Sequence, residues 1–255
     1  MEVREPIEKE GLVVFMDALG TKELILTGRY KDAMKRWDEL LKGVIHSMGW
    51  SEYMTSILRE AGSDNPEMTS GVKALQDTVI LYLYPEDQGT DLRVALARAS
   101  RILGRFLWEA MEDFFDAFFF RWAVEVGTIM VGSTQVFSPA AVAAHESQDT
   151  ADWTGIIAAP AASALLRPSL NDPAQHRFFA RYPIPLKDGE TMDGFVLSWP
   201  AWADPGPCRK IMNRRMTQFP EPHKRRKYEN ALAFAEWYWT TYPKDDAHKG
   251  ESLSS

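Results

Sequence analysis

Cysteine is almost missing from the 255-residue chain. Cys208 stands alone, so no intrachain disulfide framework can form and no cysteine-built zinc site can exist. Long apolar runs are missing as well. A charged N-terminal stretch leads into five apolar residues at 12–16, too few for a signal-peptide core or a membrane span, so the cytosol is the expected compartment. Basic charge is in short supply, with 29 Lys and Arg against 36 Asp and Glu and a formal charge of −7. That balance excludes a general binder of nucleic acid or of anionic membranes, because a polyanion gains nothing by approaching a net-acidic surface that has no concentrated basic face. A small anionic substrate stays compatible, since a few local cations and a metal can hold it.

What is present bounds the architecture. Hydrophobic residues make up 45% of the chain, enough for one sizeable core. One domain is expected over residues 1–207, a helical extension over 208–243 and a flexible polar tail over 244–255. The apolar run 12–16 reads as a strand covered on both faces, ending at Asp17. Residues 22–48 carry mostly helical apolar spacing, and 62–70 are turn chemistry. Two β-rich runs, 72–75 and 79–84, flank Gln76, Asp77 and Thr78 as a tight hairpin. Residues 91–119 repeat apolar positions at i, i+3 and i+4 and read as a long helix. A strand over 121–131 places Trp122, Val124 and Val126 on one face and Ala123, Glu125 and Gly127 on the other. The order β-α-β-β-α-β predicts an α+β fold, a palm-like ferredoxin-type antiparallel sheet with helices on one face. A short helix over 139–148, a strand at 155–158, strands near 184–187 and 195–199, and a helical region over 208–242 complete the reading.

In that topology the hairpin lies beside the first strand, which lets Asp17 and Asp77 approach each other. Two carboxylates about 4 Å apart repel by roughly 4 kcal/mol at an effective dielectric near 20, so such a pair either raises a pKa or recruits a cation. Oxygen-only ligation by one or two carboxylates suits Mg²⁺ or Mn²⁺ rather than zinc. The following Leu19, Gly20, Thr21 and Lys22 would then open a helix beneath a triphosphate, where free N–H groups and the helix dipole favour an anion. The same residue types also fit plainer roles, Asp17 as a cap after a strand and Asp77 as a turn residue.

Several motifs resemble one family. Phe15-Met16-Asp17-Ala18-Leu19-Gly20 resembles the F-x-D-x-x-G signature of class III nucleotidyl cyclases, and Leu75-Gln76-Asp77-Thr78-Val79-Ile80 resembles their second metal-Asp hairpin. The segment from Arg121 to Gly127 is similar to the R-G-x-I-x-x-G strand of the pyrimidine cyclases of bacterial Pycsar antiphage systems, with Trp122 in place of a small residue. Blocks at 137–146, 153–156, 182–187 and 198–200 follow in the family's order, so the likeness spans roughly residues 11–200. The resemblance implies two Mn²⁺ or Mg²⁺ ions held by Asp17, Asp77 and the Ala18 main-chain carbonyl. It further implies attack of a ribose 3′-hydroxylate on the α-phosphorus, a 3′,5′-cyclic nucleotide product, a homodimer with sites at its interface, and a separate effector protein activated by the cyclic nucleotide during phage infection.

Departures from the family pattern bear on the substrate. Lys73 stands at the position of the base-reading Lys of purine cyclases, whereas Gln135, Val142 and Glu146 stand where their Asp, Asn and Arg are found. These losses favour the pyrimidine branch and leave Arg121 as the cation for charge developing on the phosphoryl group, or else as a surface ion-pair residue. Lys73 could donate to a uracil carbonyl, which favours UTP and cUMP, or it could point to solvent from an edge strand. CTP or ATP, and a catalytically inactive nucleotide-binding module, are the alternatives. Gly20-Thr21-Lys22 lacks the upstream glycine of a P-loop, and His145-Glu146 lacks a zincin's second histidine. The bases Arg214, Arg215, Lys224, Arg225, Arg226 and Lys227 read as a solvated helical face, and Trp237, Tyr238 and Trp239 as packing against the core or a partner subunit.

Overall fold

The computed structural model describes residues 6–19, 68–75, 78–86, 91–113, 119–132, 136–168 and 178–243, with the single positions 28, 31, 34, 35 and 38. Eight strands form one open sheet: β1 (Ile7–Leu19), β2 (Met68–Leu75), β3 (Thr78–Pro85), β4 (Phe119–Val131), β5 (Val136–Phe137), β6 (Gly155–Ala158), β7 (Phe179–Pro185) and β8 (Thr191–Leu197). The helices among the described residues are α1 (Leu92–Asp113), α2 (Pro139–Thr150), α3 (Pro160–Leu166), α4 (Pro205–Gln218) and α5 (Pro222–Thr241). The sheet runs β2-β3-β1-β4-β6-β8-β7, with β5 paired to β4. The order β2-β3-β1-β4 is antiparallel throughout, as the split βαβ arrangement requires, and β6 joins β4 in parallel. The fold is α+β. The expected helical region 22–48 lies outside the described residues except at Gly28, a turn residue at φ +76, and at 31, 34, 35 and 38, which are helical; Met34 is exposed there.

Element ends differ from the sequence reading for identifiable reasons. Strand β1 starts at Ile7 and runs through Asp17 to Leu19, because residues 7–10 pair with the far end of β4, from Ile7 opposite Val131 to Glu10 opposite Thr128. Ladder hydrogen bonds hold that polar segment, and an apolar-run criterion does not register them. Helix α1 stops at Asp113 and β4 begins at Phe119; the expected helix over 91–119 was too long because the Phe-rich run continues its spacing into the strand. Residues 68–70, read as turn, belong to β2. Strands β7 and β8 begin earlier than expected, at Phe179 and Thr191.

Period-2 alternation assigns the two faces of the sheet. Leu12, Val14, Met16 and Ala18 share a core with Leu96, Leu103, Phe106, Leu107 and Met111 of α1. Trp122 joins them, its ring centroid 5.2 Å from Phe106, and fills space against α1. Side chains of this size contribute about 1.5–3 kcal/mol each when fully buried. On the opposite face Val13, Tyr82, Tyr84 and Ile129 pack with Ala140 and Ala141 of α2. Here α2 also covers the sheet, so helices sit on both sides of β1 and β4. Cys208, Met212, Ala231, Phe234 and Ala235 of α4 and α5 belong to the main core, and Phe234 meets Trp153 edge-on at 5.2 Å.

Candidate active site

Register creates the site. Asp17 near the end of β1 pairs with Thr78 of β3 on one side and with Arg121 of β4 on the other. Residues directly opposite in an antiparallel ladder project to the same face, so these three form a row across three strands on the α2 side. Arg121 Nη2 lies 2.6 Å from Asp17 Oδ2, with the side chains 12% and 21% exposed. Charge-assisted contacts of this kind are stronger than neutral hydrogen bonds, and half-buried ones are costly to break from one side only.

Three anchors fix α2 over the row. Its N-cap Ser138 accepts from the Ala141 N–H at 3.3 Å and donates to the Thr128 carbonyl at 2.7 Å, with Pro139 in the first turn, a favourable start for a helix. The His145 ring sits 4.7 Å from that of Phe15. Buried Gln148, with its amide oriented as the network demands, donates to the Phe15 and Arg121 carbonyls at 3.2 and 2.9 Å. Asp149 is thereby carried to Arg121, with Nη1 at 3.5 Å.

The β7–β8 turn supplies the next cation. Lys187 Nζ is 2.5 Å from Asp149 Oδ1, and the turn is tied to the end of α2 by Lys187 N–H to the Thr150 carbonyl (3.1 Å) and Asp152 N–H to the Pro185 carbonyl (2.8 Å). Gly189, at φ +91, supplies the left-handed conformation the turn needs. The Lys187 hydrogen bond holds the Asp149 carboxyl below its ordinary value, helped by the charges of Lys187, Arg121 and His145. Asp149 is 60% exposed, so solvent screens much of this effect.

Of the residues singled out from sequence, Asp17 and Arg121 come together, and Arg121 Nε is buried with no hydrogen-bond partner among the described residues. Ala18 is buried toward the α1 side, opposite Phe120 in the ladder, and Leu19 ends β1 opposite Phe119. Lys73 is half-buried on edge strand β2 opposite Ile80, which puts it on the same face as Asp17, one row along. Gly20, Thr21, Lys22, Asp77 and Gln135 lie outside the described residues. Val142 and Glu146 are exposed on α2.

Among the described residues no group of three or more His, Cys, Asp and Glu converges as a metal cluster. The donor at Asp17 is a single hard carboxylate, which fits Mg²⁺ or Mn²⁺, ions that take one or two protein carboxylates and complete their shells with phosphate and water oxygens.

Sequence reasoning missed Gln148, Asp149 and Asp152, which no motif marks, and gave no role to Lys187, the last residue of the 182–187 block. It also misplaced part of the basic cluster. Lys224 and Arg225 do lie on the outer face of α5, paired with Glu221 and Glu229. Arg215, however, is buried on α4, Arg226 pairs with the carboxylate of Asp152, itself 3% exposed, and Lys227 is half-buried. Arg226 is itself 47% exposed, and its pairing depends on an acid 74 positions away, beyond the reach of helical spacing.

No protein-family model matches the sequence. No curated protein matches it either. Among solved structures the chain is similar to nucleotide cyclase domains. The guanylyl cyclase domain of the RhoGC fusion protein from the aquatic fungus Blastocladiella emersonii, a double mutant in monomeric form, is 14% identical with a TM-score of 0.49, over 76% of this chain and 98% of that one. The adenylyl cyclase CyaB from P. aeruginosa is 11% identical with a TM-score of 0.48, over 76% and 96%. The guanylate cyclase domain of RhGC from Catenaria anguillulae, solved in complex with GTP, is 13% identical with a TM-score of 0.46, over 75% and 97%.

Proposed function

We propose that this chain is a metal-dependent nucleotidyl cyclase that converts UTP to 3′,5′-cyclic UMP and pyrophosphate. The observation that carries the reading is the Asp17–Arg121 pair, a carboxylate and a guanidinium 2.6 Å apart at the end of β1, with Asp149 and Lys187 beside it. Asp17 is a hard-oxygen ligand, and Arg121 has a buried Nε–H still unspent, a donor suited to a phosphoryl oxygen. Asp77 adjoins Thr78 in the chain, and Thr78 is the register partner of Asp17; this connectivity supports Asp77 as the second carboxylate.

Two divalent ions at Asp17, Asp77 and the Ala18 carbonyl would acidify the ribose 3′-hydroxyl and neutralise the phosphates. The chain's own groups do the rest. Arg121 and Lys187 hold the phosphates in line, so that the 3′-oxygen bonds to the α-phosphorus as the bond from that phosphorus to the bridging oxygen breaks. The hydroxyl proton passes to solvent, and the electron pair leaves with pyrophosphate. Leu19, Gly20, Thr21 and Lys22 would lie beneath the triphosphate, and Arg121 meets the charge that grows on the phosphoryl group. Lys73, on the same face, donates to a uracil carbonyl, where cytosine would present an amine instead. The active unit in this reading is a homodimer, and cyclic UMP signals to a separate effector protein in antiphage defence.

The test is turnover of UTP, CTP, ATP and GTP in turn by the purified chain with Mn²⁺, read as cyclic product. Cyclic UMP in excess is the expected result, and turnover of ATP alone would remove the pyrimidine assignment. One observation favours a second reading, nucleotide binding without turnover: Val142 and Glu146 occupy α2 where purine cyclases carry their Asn and Arg. In that case no triphosphate yields a cyclic product, yet UTP still raises the melting temperature.

A further inference from the structure

The C-terminal helix reaches the site. Arg226 of α5 pairs with the buried carboxylate of Asp152, and its Nη2 donates to the Lys187 carbonyl at 3.4 Å. One turn on, Asn230 Nδ2 donates to the Asp152 carbonyl at 2.6 Å. A turn further, Phe234 packs against Trp153 and Tyr182 at 5.2 and 4.8 Å. These contacts hold α5 rigidly against the turn that carries Lys187.

Lys227, next to Arg226, is half-buried and stands three and seven residues before Asn230 and Phe234, on the same face of α5 that meets Asp152 and Trp153. Burial first, and then Arg121, press its ammonium below the ordinary lysine pKa. Among the described residues, Arg121, Lys187, Arg226 and Lys227 thus bring four positive charges to a partly exposed cluster beside three carboxylates, Asp17, Asp149 and Asp152. Engaging Asp17 with a divalent ion adds further positive charge and frees Arg121 from its partner. Unbalanced positive charge at a partly desolvated site favours a multivalent anion.

We propose that Lys227 is a polyphosphate-binding residue, its ammonium holding the terminal phosphates of the triphosphate and then the departing pyrophosphate, with Asp152 and Arg226 as the clamp that positions it. The identity of the ligand as a nucleoside triphosphate rests on the cyclase reading; recognition of a polyphosphate by this cluster does not.

Two measurements decide it. In calorimetric titration with sodium tripolyphosphate in metal-free buffer, the wild-type chain binds and Lys227→Met binds about 10- to 100-fold more weakly, the worth of one charge-assisted contact. Lys227→Arg recovers most of the affinity, and Arg225→Ala, on the solvated side of the same helix, stays within twofold. The KM for UTP rises in Lys227→Met by the same factor as the tripolyphosphate Kd. Amine acetylation of the wild-type chain, read by peptide mass spectrometry, needs no variant: tripolyphosphate protects Lys227 at least fivefold and leaves Lys210 unchanged. Absence of tripolyphosphate binding by the wild type overturns the inference, as does a Lys227→Met affinity within twofold of wild type or an unprotected Lys227. Tripolyphosphate binding that depends on Lys227, in a chain that cyclises no triphosphate, upholds this inference and removes the cyclase reading. Cyclase activity with a KM indifferent to Lys227 does the reverse.

Discussion

Asp17 and Arg121 neutralise each other in the ligand-free chain, so substitutions on the two sides should move metal binding in opposite directions. Asp17→Asn keeps the volume and removes the charge. It loses a contact of 2.6 Å in which both partners are mostly buried, worth about 1.5–3 kcal/mol for a charged hydrogen bond, while among the described residues Arg121 retains the carboxylate of Asp149 at 3.5 Å. At about 2–4 °C per kcal/mol for a chain of this size, the melting temperature should fall by roughly 3–12 °C. Mn²⁺ affinity, read by titration calorimetry without nucleotide, should drop at least about tenfold, and turnover by about a hundredfold or more. Arg121→Met has the opposite metal signature. It leaves the Asp17 carboxylate without its cation, which costs stability on a similar scale, yet Mn²⁺ binding strengthens because the ion no longer displaces a guanidinium. Turnover still falls, since the phosphates lose a donor. The reasoning is refuted if Mn²⁺ affinity is unchanged in both variants, for then the carboxylate and the ion do not meet.

Asp77→Asn should lower turnover by about a hundredfold while leaving the melting temperature close to wild type, and full activity would take Asp77 out of the site. Glu125→Ala strips the acceptors from three backbone N–H groups, those of Val126 (2.8 Å), Ala161 (3.2 Å) and Ala162 (2.7 Å); a loss of about 4 kcal/mol in chemical denaturation is expected, with Glu125→Gln costing about half of that. Cys208 is fully buried and its thiol is pushed up to about 12, so alkylation at pH 8 should be negligible until the chain is denatured. Its folded pKa lies above its unfolded one, so the associated stability is complete below pH 9 and is lost as pH rises toward 12. Buried Tyr82 and partly buried Tyr182, raised chiefly by burial, add to that alkaline loss, which a pH series of denaturation midpoints measures.

Strand order was legible wherever an element carries its own signal. The run at 12–16 and the runs of the hairpin around 76–78 pair a distinctive apolar pattern with turn residues, and the ladder sets them side by side as the β-α-β-β-α-β order requires; the strand Gly155–Ala158, read as lying beyond that order, joins β4 in parallel. Boundaries were less legible where polar residues extend a strand, as at Ile7–Glu10, or where a helical spacing runs on into one, as at Phe119. Asp17 could be chosen because it follows a β-run in a recognisable motif. The nature of Arg121's partner could not, since that contact joins residues 104 positions apart and follows from β1–β4 register. The roles of Asp149 and Lys187 were not legible for the same reason: no local pattern distinguishes a lysine at a turn from one paired with an acid on a distant helix.

The two faces of β4 explain how a marginally stable chain can hold these charges together. Odd positions Arg121, Ala123 and Glu125 project to the α2 side, while Trp122 and Val124 fill the α1 core. A one-residue slip of β4 against β1 would bury Arg121 among apolar side chains and turn Trp122 to the site, so the hydrophobic core itself enforces the Asp17–Arg121 row. Glu125, two steps along the same face, spends its carboxylate on the N–H groups at the start of α3 and locks β4 against sliding. Stability and site geometry are therefore coupled through one strand. A change such as Glu125→Ala, which touches no part of the proposed substrate site, should loosen the spacing between Arg121 and Asp17 as well as the fold. Its loss of turnover, measured well below its melting temperature, should exceed that of an equally destabilising truncation in the α4–α5 pair such as Met212→Ala. Equal losses from the two variants would show that β4 register does not govern the site.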